Sequence, residues 1–191
     1  MPSLPTRASV VVIGGGAIGT SVAFHLAEAG VEGVVLVERG ALGGGSTGQA
    51  AGGIRAQFSD ALNVRIAQRS LAAYRAFGER PGVEIDFRAD GYLFLLDRDE
   101  DVAAFEAAIE LQSALGVPSR MLAPAQAAAL CPLLDTDGLL AAAYSPADAR
   151  ATPDAVVQGY AAAARVHGVM NQRNYQAIMG IVKGASIARS D

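Results

Sequence analysis

The sequence predicts an α/β fold that begins with a parallel βαβ unit, and three features of residues 10–38 predict it. The first is an apolar run from Val10 to Ile13 that leads into the cluster Gly14-Gly15-Gly16-Ala17-Ile18-Gly19. The second is the apolar spacing of a helix after this turn, and the third is another apolar run that ends in Glu38. A strand, a G-x-G-x-x-G turn, a helix and a second strand closed by an acid make up a Rossmann-like dinucleotide-binding unit.

The glycines of the turn and the terminal acid each have a physical task. Gly14 permits the tight turn, Gly16 lacks a Cβ that would hold the backbone away from a pyrophosphate, and Gly19 lets the helix pack closely on the strands. The pyrophosphate is expected at the helix N-terminus, where N–H groups and the helix dipole favour an anion. Glu38 is expected to accept hydrogen bonds from the adenosine ribose, and because its charge would repel a 2′-phosphate, NADP is not expected.

A long segment rich in glycine, serine and threonine follows the acid, over residues 39–55. Simple nicotinamide-binding domains usually continue into another crossover helix at this point. A Gly/Ser/Thr segment instead offers backbone N–H groups and hydroxyls to phosphate and ring polar atoms at close range. A flexible linker would explain the glycines, but it explains Gln49, Ile54, Arg55 and Phe58 poorly.

Together, the glycine turn and residues 45–58 resemble the FAD-dependent oxidoreductases of the D-amino acid oxidase group, which includes sarcosine oxidase, dimethylglycine dehydrogenase and glycine oxidase. The resemblance runs to about Gly168 and implies FAD, with its adenosine at Glu38 and its ribityl and ring portions near Ser46 to Gly53. The cofactor-binding residues that it implies are Gly14, Gly16, Ala17, Ile18, Gly19, Glu38, Arg39, Gly45, Ser46, Thr47, Gln49, Ala50, Gly52 and Gly53.

The resemblance also bears on how the flavin is held and where substrate binds. Some dimethylglycine dehydrogenase-like members carry a histidine that bonds covalently to the flavin, and because Gln49 stands at that position, non-covalent FAD is expected. His25 and His167 are interpreted as half-buried or solvated helix residues. A similar arginine in sarcosine oxidase-like enzymes lies close to the ring and the substrate carboxylate, so Arg55 is the candidate catalytic residue. Its planar fork suits a carboxylate, although a surface arginine in a turn is the alternative.

Composition is consistent with an enzyme domain that does not span a membrane. The 191-residue chain has 51% hydrophobic residues, 22 glycines and a net charge of −4. No apolar run approaches the ~20 residues that a bilayer requires, and no signal peptide is evident. A single cysteine, Cys131, gives no internal disulfide or zinc cluster. We therefore expect a cytoplasmic location, no metal and no nucleic-acid partner.

Further along the chain the pattern alternates between helices and strands. Helices are predicted from Asp60 to Phe77, from Asp99 to Leu115, from Pro124 to Leu130 and from Asp154 to His167. Residues 85–96 are predicted to form two strands around an Asp90-Gly91 turn, with a further strand over residues 139–144. Gly168-Val169 and residues 175–183 are predicted strands of the first sheet. Asp148 and Arg150 are interpreted either as a surface loop pair or as ligand contacts.

The predicted organisation is a discontinuous FAD-binding domain with an inserted α+β substrate domain. Residues 1–81 and 150–191 are assigned to the FAD-binding domain, and residues 82–149 to part of the substrate domain. Because members of the family run considerably longer, the chain is expected to be a truncated version or one piece of a complex in which another subunit supplies the rest.

The function implied by the resemblance is oxidation of the C–N bond of an amino acid or of a secondary or N-methylated amine, such as sarcosine, dimethylglycine or proline. Two alternatives stay open at this point. One is an FAD-dependent 2-hydroxy acid dehydrogenase, because the family also has members that oxidise glycerol-3-phosphate and hydroxyglutarate. The other is a non-catalytic FAD-binding or assembly subunit, which the short length favours.

Overall fold

A computed structural model describes residues 7–173 of the chain, which contain five helices and eight strands. The helices are α1 (Ala17–Glu28), α2 (Ala61–Arg75), α3 (Asp99–Ala114), α4 (Pro124–Leu130) and α5 (Pro153–Val166). The strands are β1 (Val10–Ile13), β2 (Val34–Glu38), β3 (Gly53–Ile54), β4 (Tyr92–Leu96), β5 (Arg120–Leu122), β6 (Ala141–Ser145), β7 (Ala149–Arg150) and β8 (Met170–Arg173). The predicted α/β class is confirmed.

The described chain divides into two compact units. The first contains residues 7–51, Pro81–Ile85 and residues 152–173, and the second contains Gly52–Arg80 and Asp86–Ala151. These boundaries differ from the predicted ones mainly over residues 52–80. The reason is packing: Val64 and Leu71 of α2 share a buried cluster with Val117 and Ala149. The functional assignment of the two domains stays a prediction.

The first unit is built on a parallel sheet with strand order β1-β2-β8. Val10 pairs with Val34 and Ile13 with Val37, while β8 pairs along the other edge of β2. The four residues from Val34 to Val37 are buried, as expected for a strand in the middle of a parallel sheet. Helix α1 packs against α5, with the Phe24 ring 5.5 Å from that of Tyr160. The predicted βαβ unit is therefore present.

The second unit contains two antiparallel sheets, one with the order β4-β6-β5 and one formed by β3 and β7. In the first, Tyr92 pairs with Ser145, and in the second, Gly53 pairs with Arg150. Asp60 caps α2 as predicted, since its Oδ1 accepts the N–H of Asn63 at 2.9 Å. The predicted helices α3, α4 and α5 form within one residue of their expected ends.

The hairpin predicted for residues 85–96 is wrong. Strand β4 pairs with β6 instead, and Arg88 forms an isolated bridge with Arg150. Gly91 has the positive φ of +84° that glycine tolerates, and its N–H donates to the carbonyl oxygen of Asp148 at 3.0 Å. The predicted Asp90-Gly91 turn does not form, and the strand partner of β4 comes from far along the chain. Strand β8 begins at Met170 rather than Gly168, and residues 175–183 lie outside the described residues.

Candidate functional site

The glycine turn in the first unit has the close packing that its spacing predicts. Gly14 has φ of +104°, and its N–H donates to the carbonyl oxygen of Val37 at 2.8 Å. A Cβ on Gly19 would collide with the carbonyl oxygen of Gly14. Helix α1 therefore starts close against the turn, with glycine at its N-cap position, Gly16. The first N–H groups of α1 thus lie at a terminus that carries the positive end of the helix dipole.

Glu38 ties the end of β2 to this turn. Its Oε2 accepts the N–H of Gly15 and its Oε1 accepts the N–H of Gly40, each at 2.8 Å. These two hydrogen bonds, Gly15 first, lower the pKa of the Glu38 carboxyl below its usual value, so the side chain is ionised at neutral pH. Because each carboxylate oxygen has a second lone pair, the half-buried side chain retains acceptor capacity for a hydroxyl group.

The Gly/Ser/Thr segment folds back onto the N-terminus of α1. Thr47 Oγ1 accepts the N–H of Ala17, with an oxygen–nitrogen distance of 3.2 Å, and the N–H of Gly43 donates to the carbonyl oxygen of Gly15 at 2.8 Å. A Cβ on Gly16 would lie 3.0 Å from Thr47 Oγ1. Any side chain at position 16 would therefore press against the Thr47 hydroxyl beside the N-terminus of α1. This fits the role expected of this glycine beside a pyrophosphate.

A pocket of about 200 Å³ opens beside Glu38. It is lined by Glu38, Arg39, Gly40, Ala41, Gly44 and Gly45. Sites for drug-sized ligands are typically about 300–1,000 Å³, so this pocket is sized for one part of a dinucleotide rather than for the whole. A carboxylate, backbone N–H groups, a threonine hydroxyl and a helix N-terminus are the donors and acceptors that the adenosine and pyrophosphate of FAD require. The residues of the first unit fit this cofactor.

Arg55, the candidate catalytic residue predicted from the sequence, lies in the second unit. Its guanidinium carbon lies 4.8 Å from the centre of the Phe58 ring and 5.0 Å from that of Phe94. Its Nη1 donates to the carbonyl oxygen of Gln57 at 2.9 Å. Arg55 makes no ion pair with any residue between positions 7 and 173. A half-buried guanidinium fixed by two rings and without a carboxylate partner retains donors for an incoming anion.

The predicted site residues are divided between the two units. The first unit brings together Gly14, Gly16, Ala17, Gly19, Glu38, Arg39, Gly45 and Thr47. Ser46, Gln49 and Ala50 lie exposed in the same segment, and the Ile18 side chain is 82% exposed. Gly52, Gly53 and Arg55 belong to the second unit. Each of these cofactor and substrate roles remains a proposal.

Sequence reasoning missed two kinds of residue. Gly40, Ala41 and Gly44 line the pocket beside Glu38. Only their place in a glycine-rich stretch could have indicated from the sequence that they line a pocket. Asp148 is fully buried, so its interpretation as a surface loop residue is wrong. Arg150 does lie in an exposed cluster, where its Nε donates to Asp90 at 3.0 Å. Both histidines are exposed, as predicted; His25 lies in α1, and His167 is the C-cap residue of α5.

Other site types are not found in the described part of the chain. Over residues 7–173, no three His, Cys, Asp or Glu side chains are grouped so as to hold a metal ion. Over the same residues, no helix has the length and apolar character needed to cross a bilayer.

The fold and the glycine turn define a dinucleotide-binding protein of the Rossmann-like class. A family model described as FAD dependent oxidoreductase (DAO) matches residues 9–189. The chain therefore belongs to the DAO family of FAD-dependent oxidoreductases, and FAD is the cofactor of that family.

Among curated relatives, dimethylglycine dehydrogenase from Rattus norvegicus is 34% identical over 88% of this chain and 20% of its own length. The pyruvate dehydrogenase phosphatase regulatory subunit from Mus musculus is 32% identical over 87% of this chain and 19% of its own length. Both are named as mitochondrial proteins. The chain thus spans about a fifth of the length of these relatives.

Among solved structures, L-proline dehydrogenase from P. horikoshii superposes with a TM-score of 0.82 and 38% identity. The match covers 90% of this chain and 45% of that chain.

Proposed function

We propose that this chain binds FAD non-covalently and forms part of an enzyme that oxidises the C–N bond of an amino acid or of an N-methylated or secondary amine. The observation that carries the proposal is Arg55, a guanidinium fixed between two rings without an acid partner among the described residues. Proline and dimethylglycine, for which two of the similar proteins are named, both combine a carboxylate with a substituted nitrogen. Such substrates offer Arg55 the anion that its fork is shaped to bind.

The geometry of the chain's own residues supports the following roles. The ionised carboxylate of Glu38 would accept hydrogen bonds from the adenosine ribose, while the N-terminus of α1 and the Thr47 hydroxyl would hold the pyrophosphate. Arg55 orients the substrate through its carboxylate. The chemistry that a bound flavin supplies is acceptance of a hydride equivalent from the carbon beside the nitrogen.

The non-covalent attachment rests on Gln49. An amide side chain does not form the covalent link for which some dimethylglycine dehydrogenase-like members use a histidine. After acid precipitation, the flavin is expected in the supernatant. Flavin that stays with the precipitated protein would contradict this part of the proposal.

An anaerobic titration tests the substrate class. Purified protein loaded with FAD is mixed with sarcosine, dimethylglycine, proline or a 2-hydroxy acid, and the flavin absorbance is followed. Bleaching by one of the three amino acids supports the proposal, whereas bleaching by the hydroxy acid alone would identify a hydroxy acid dehydrogenase. The same titration is run on a full-length relative with the matching arginine, because this chain spans only part of such proteins.

Arg55→Lys tests the role of the guanidinium in that titration. The ammonium keeps the charge but loses the bidentate fork, so the substrate concentration for half-reduction should rise much more than the FAD content falls. Arg120→Lys is the matched control, because Arg120 lies 5.2 Å from the Tyr144 ring in the same unit. Equal substrate dependence in the two variants would remove Arg55 from the substrate site.

A second candidate function is a non-catalytic FAD-binding subunit. The similarity to a phosphatase regulatory subunit favours it, and it predicts bound FAD that none of the four compounds reduces. The cytoplasmic location and a second polypeptide that completes the enzyme both stay predictions.

A further inference from the structure

Asp148 is a buried acid that the proposed cofactor and substrate contacts do not use. It lies in the short connection between β6 and β7, and its relative exposure is 0%. Burying a carboxylate is costly unless donors compensate for the lost water. The surroundings of Asp148 therefore indicate what keeps it in place.

Two donors from the segment after Arg55 meet this carboxylate. The N–H of Ala56 donates to Oδ1 at 2.9 Å, and Nε2 of Gln57 donates to Oδ2 at 3.2 Å. The Gln57 amide nitrogen also donates to the carbonyl oxygen of Tyr92 at 3.1 Å. The carbonyl oxygen of Asp148 itself accepts the N–H of Gly91 at 3.0 Å. One residue thus holds the segment after β3 and the start of β4.

These two segments supply the surroundings of the Arg55 guanidinium. Ala56 and Gln57 follow Arg55 directly, and the Gln57 carbonyl oxygen accepts from Arg55 Nη1. Phe58 provides one ring against the guanidinium, and Phe94, two residues after Tyr92 in β4, provides the other. A displacement of either segment would change how the guanidinium lies between the rings.

We propose that Asp148 is a positioning residue that fixes the Arg55 guanidinium between the Phe58 and Phe94 rings by holding Ala56 and Gln57. Asp148 makes no ion pair with Arg55 among residues 7–173, so it does not take the place of an incoming anion on the guanidinium. The importance of the guanidinium's placement for catalysis rests on the proposed function of Arg55. The placement by Asp148 does not depend on that function, and it is tested without cofactor or substrate.

The test is the nitrogen–proton NMR spectrum of the arginine Nε–H groups in the 191-residue chain. Aromatic rings shift the resonances of protons near their faces, so the Arg55 signal reports its place relative to the two rings. Arg120 is an internal control, since its guanidinium carbon lies 5.2 Å from the Tyr144 ring in the same unit. Assignments come from Arg55→Lys and Arg120→Lys.

In Asp148→Ala we expect the Arg55 signal to lose most of its ring-induced shift while the Arg120 signal stays in place. In Asp148→Asn the Arg55 signal should keep most of its ring-induced shift, because an amide oxygen still accepts the N–H of Ala56. A purely structural role would either leave both signals unchanged or move both together. An unchanged Arg55 signal in folded Asp148→Ala would overturn the proposal.

If Asp148→Ala does not fold, Gln57→Met decides the question. This variant keeps a side chain of similar length but loses the donor that links Asp148 to Tyr92. A selective shift of the Arg55 signal supports the proposal, and an unmoved signal overturns it. The NMR experiment contains no flavin. An unmoved Arg55 signal would therefore overturn the role of Asp148 without bearing on whether substrate oxidation depends on Arg55.

Discussion

Thr47 Oγ1 accepts the backbone N–H of Ala17 across 3.2 Å, so the glycine-rich segment after β2 supplies a side-chain acceptor to the N-terminus of α1. Gly16, at the N-cap position, has no side chain with which to accept this hydrogen bond. The acceptor comes instead from a residue 30 positions along the chain. The start of the segment over residues 45–58 is thereby brought into contact with the glycine turn.

Removing this hydroxyl should destabilise the first unit. Thr47→Val keeps the shape but leaves the N–H of Ala17 without its acceptor, at a cost of about 0.5–1.5 kcal/mol in the free energy of unfolding. Urea unfolding of the chain measures it. Thr47→Ser is the control, because serine retains the oxygen, and a valine variant at least as stable as the serine variant would contradict the importance of this bond.

Gly19 should tolerate no side chain. A Cβ there would meet the carbonyl oxygen of Gly14, which is backbone and has little freedom to move aside. We expect Gly19→Ala to lower the free energy of unfolding by about 1–3 kcal/mol or more, together with a loss of FAD binding. In the control, Gly40→Ala, the added Cβ would lie 3.8 Å from Glu38 Oε1, an ordinary contact. Equal melting temperatures for the two variants would disprove the predicted close approach.

Glu38 should make stability fall as the solution becomes more acidic. Because hydrogen bonds from Gly15 and Gly40 lower its folded pKa below the usual 4.5, the unfolded state takes up a proton first as the pH decreases. The stabilisation is complete above pH 4.5 and is lost as the pH falls through the lowered folded pKa. Unfolding measured across this range should show a weaker acid dependence for Glu38→Gln than for the wild type. The same dependence in both proteins would count against these two hydrogen bonds.

Asp148 should have the opposite effect on the pH dependence of stability. Burial, the largest effect, raises its folded pKa above the usual 3.8, so the folded state keeps its proton to higher pH than the unfolded state does. Its contribution to stability therefore decreases as the pH rises from about 3.8 to the raised folded pKa, and is constant above it. Asp148→Asn, which does not titrate, should gain stability relative to the wild type across this interval. A constant difference between the two proteins would mean that burial does not shift this carboxyl group.

Much of the local structure was predictable because its signals lie close together in the chain. The Asp60 cap, the ends of α3 and α4 and the glycine turn all follow from residues within a few positions of each other. The pairing of β4 with β6 was not predictable in this way, since it joins Tyr92 to Ser145. The positive φ of Gly91 is compatible with any strand beside β4, so the local Asp-Gly pattern carries no information about the partner of β4.

The sequence by itself determined the class of this protein. The spacing of Gly14, Gly16 and Gly19 before Glu38 follows from the reach of a strand, a turn and one helix, and it indicates a dinucleotide site without reference to the rest of the chain. Only the tertiary structure decided that Asp148 is buried and that Arg55 lies between two rings. Both depend on contacts between segments up to 92 residues apart, because burial and charge partners are set by which segments pack together rather than by residue type.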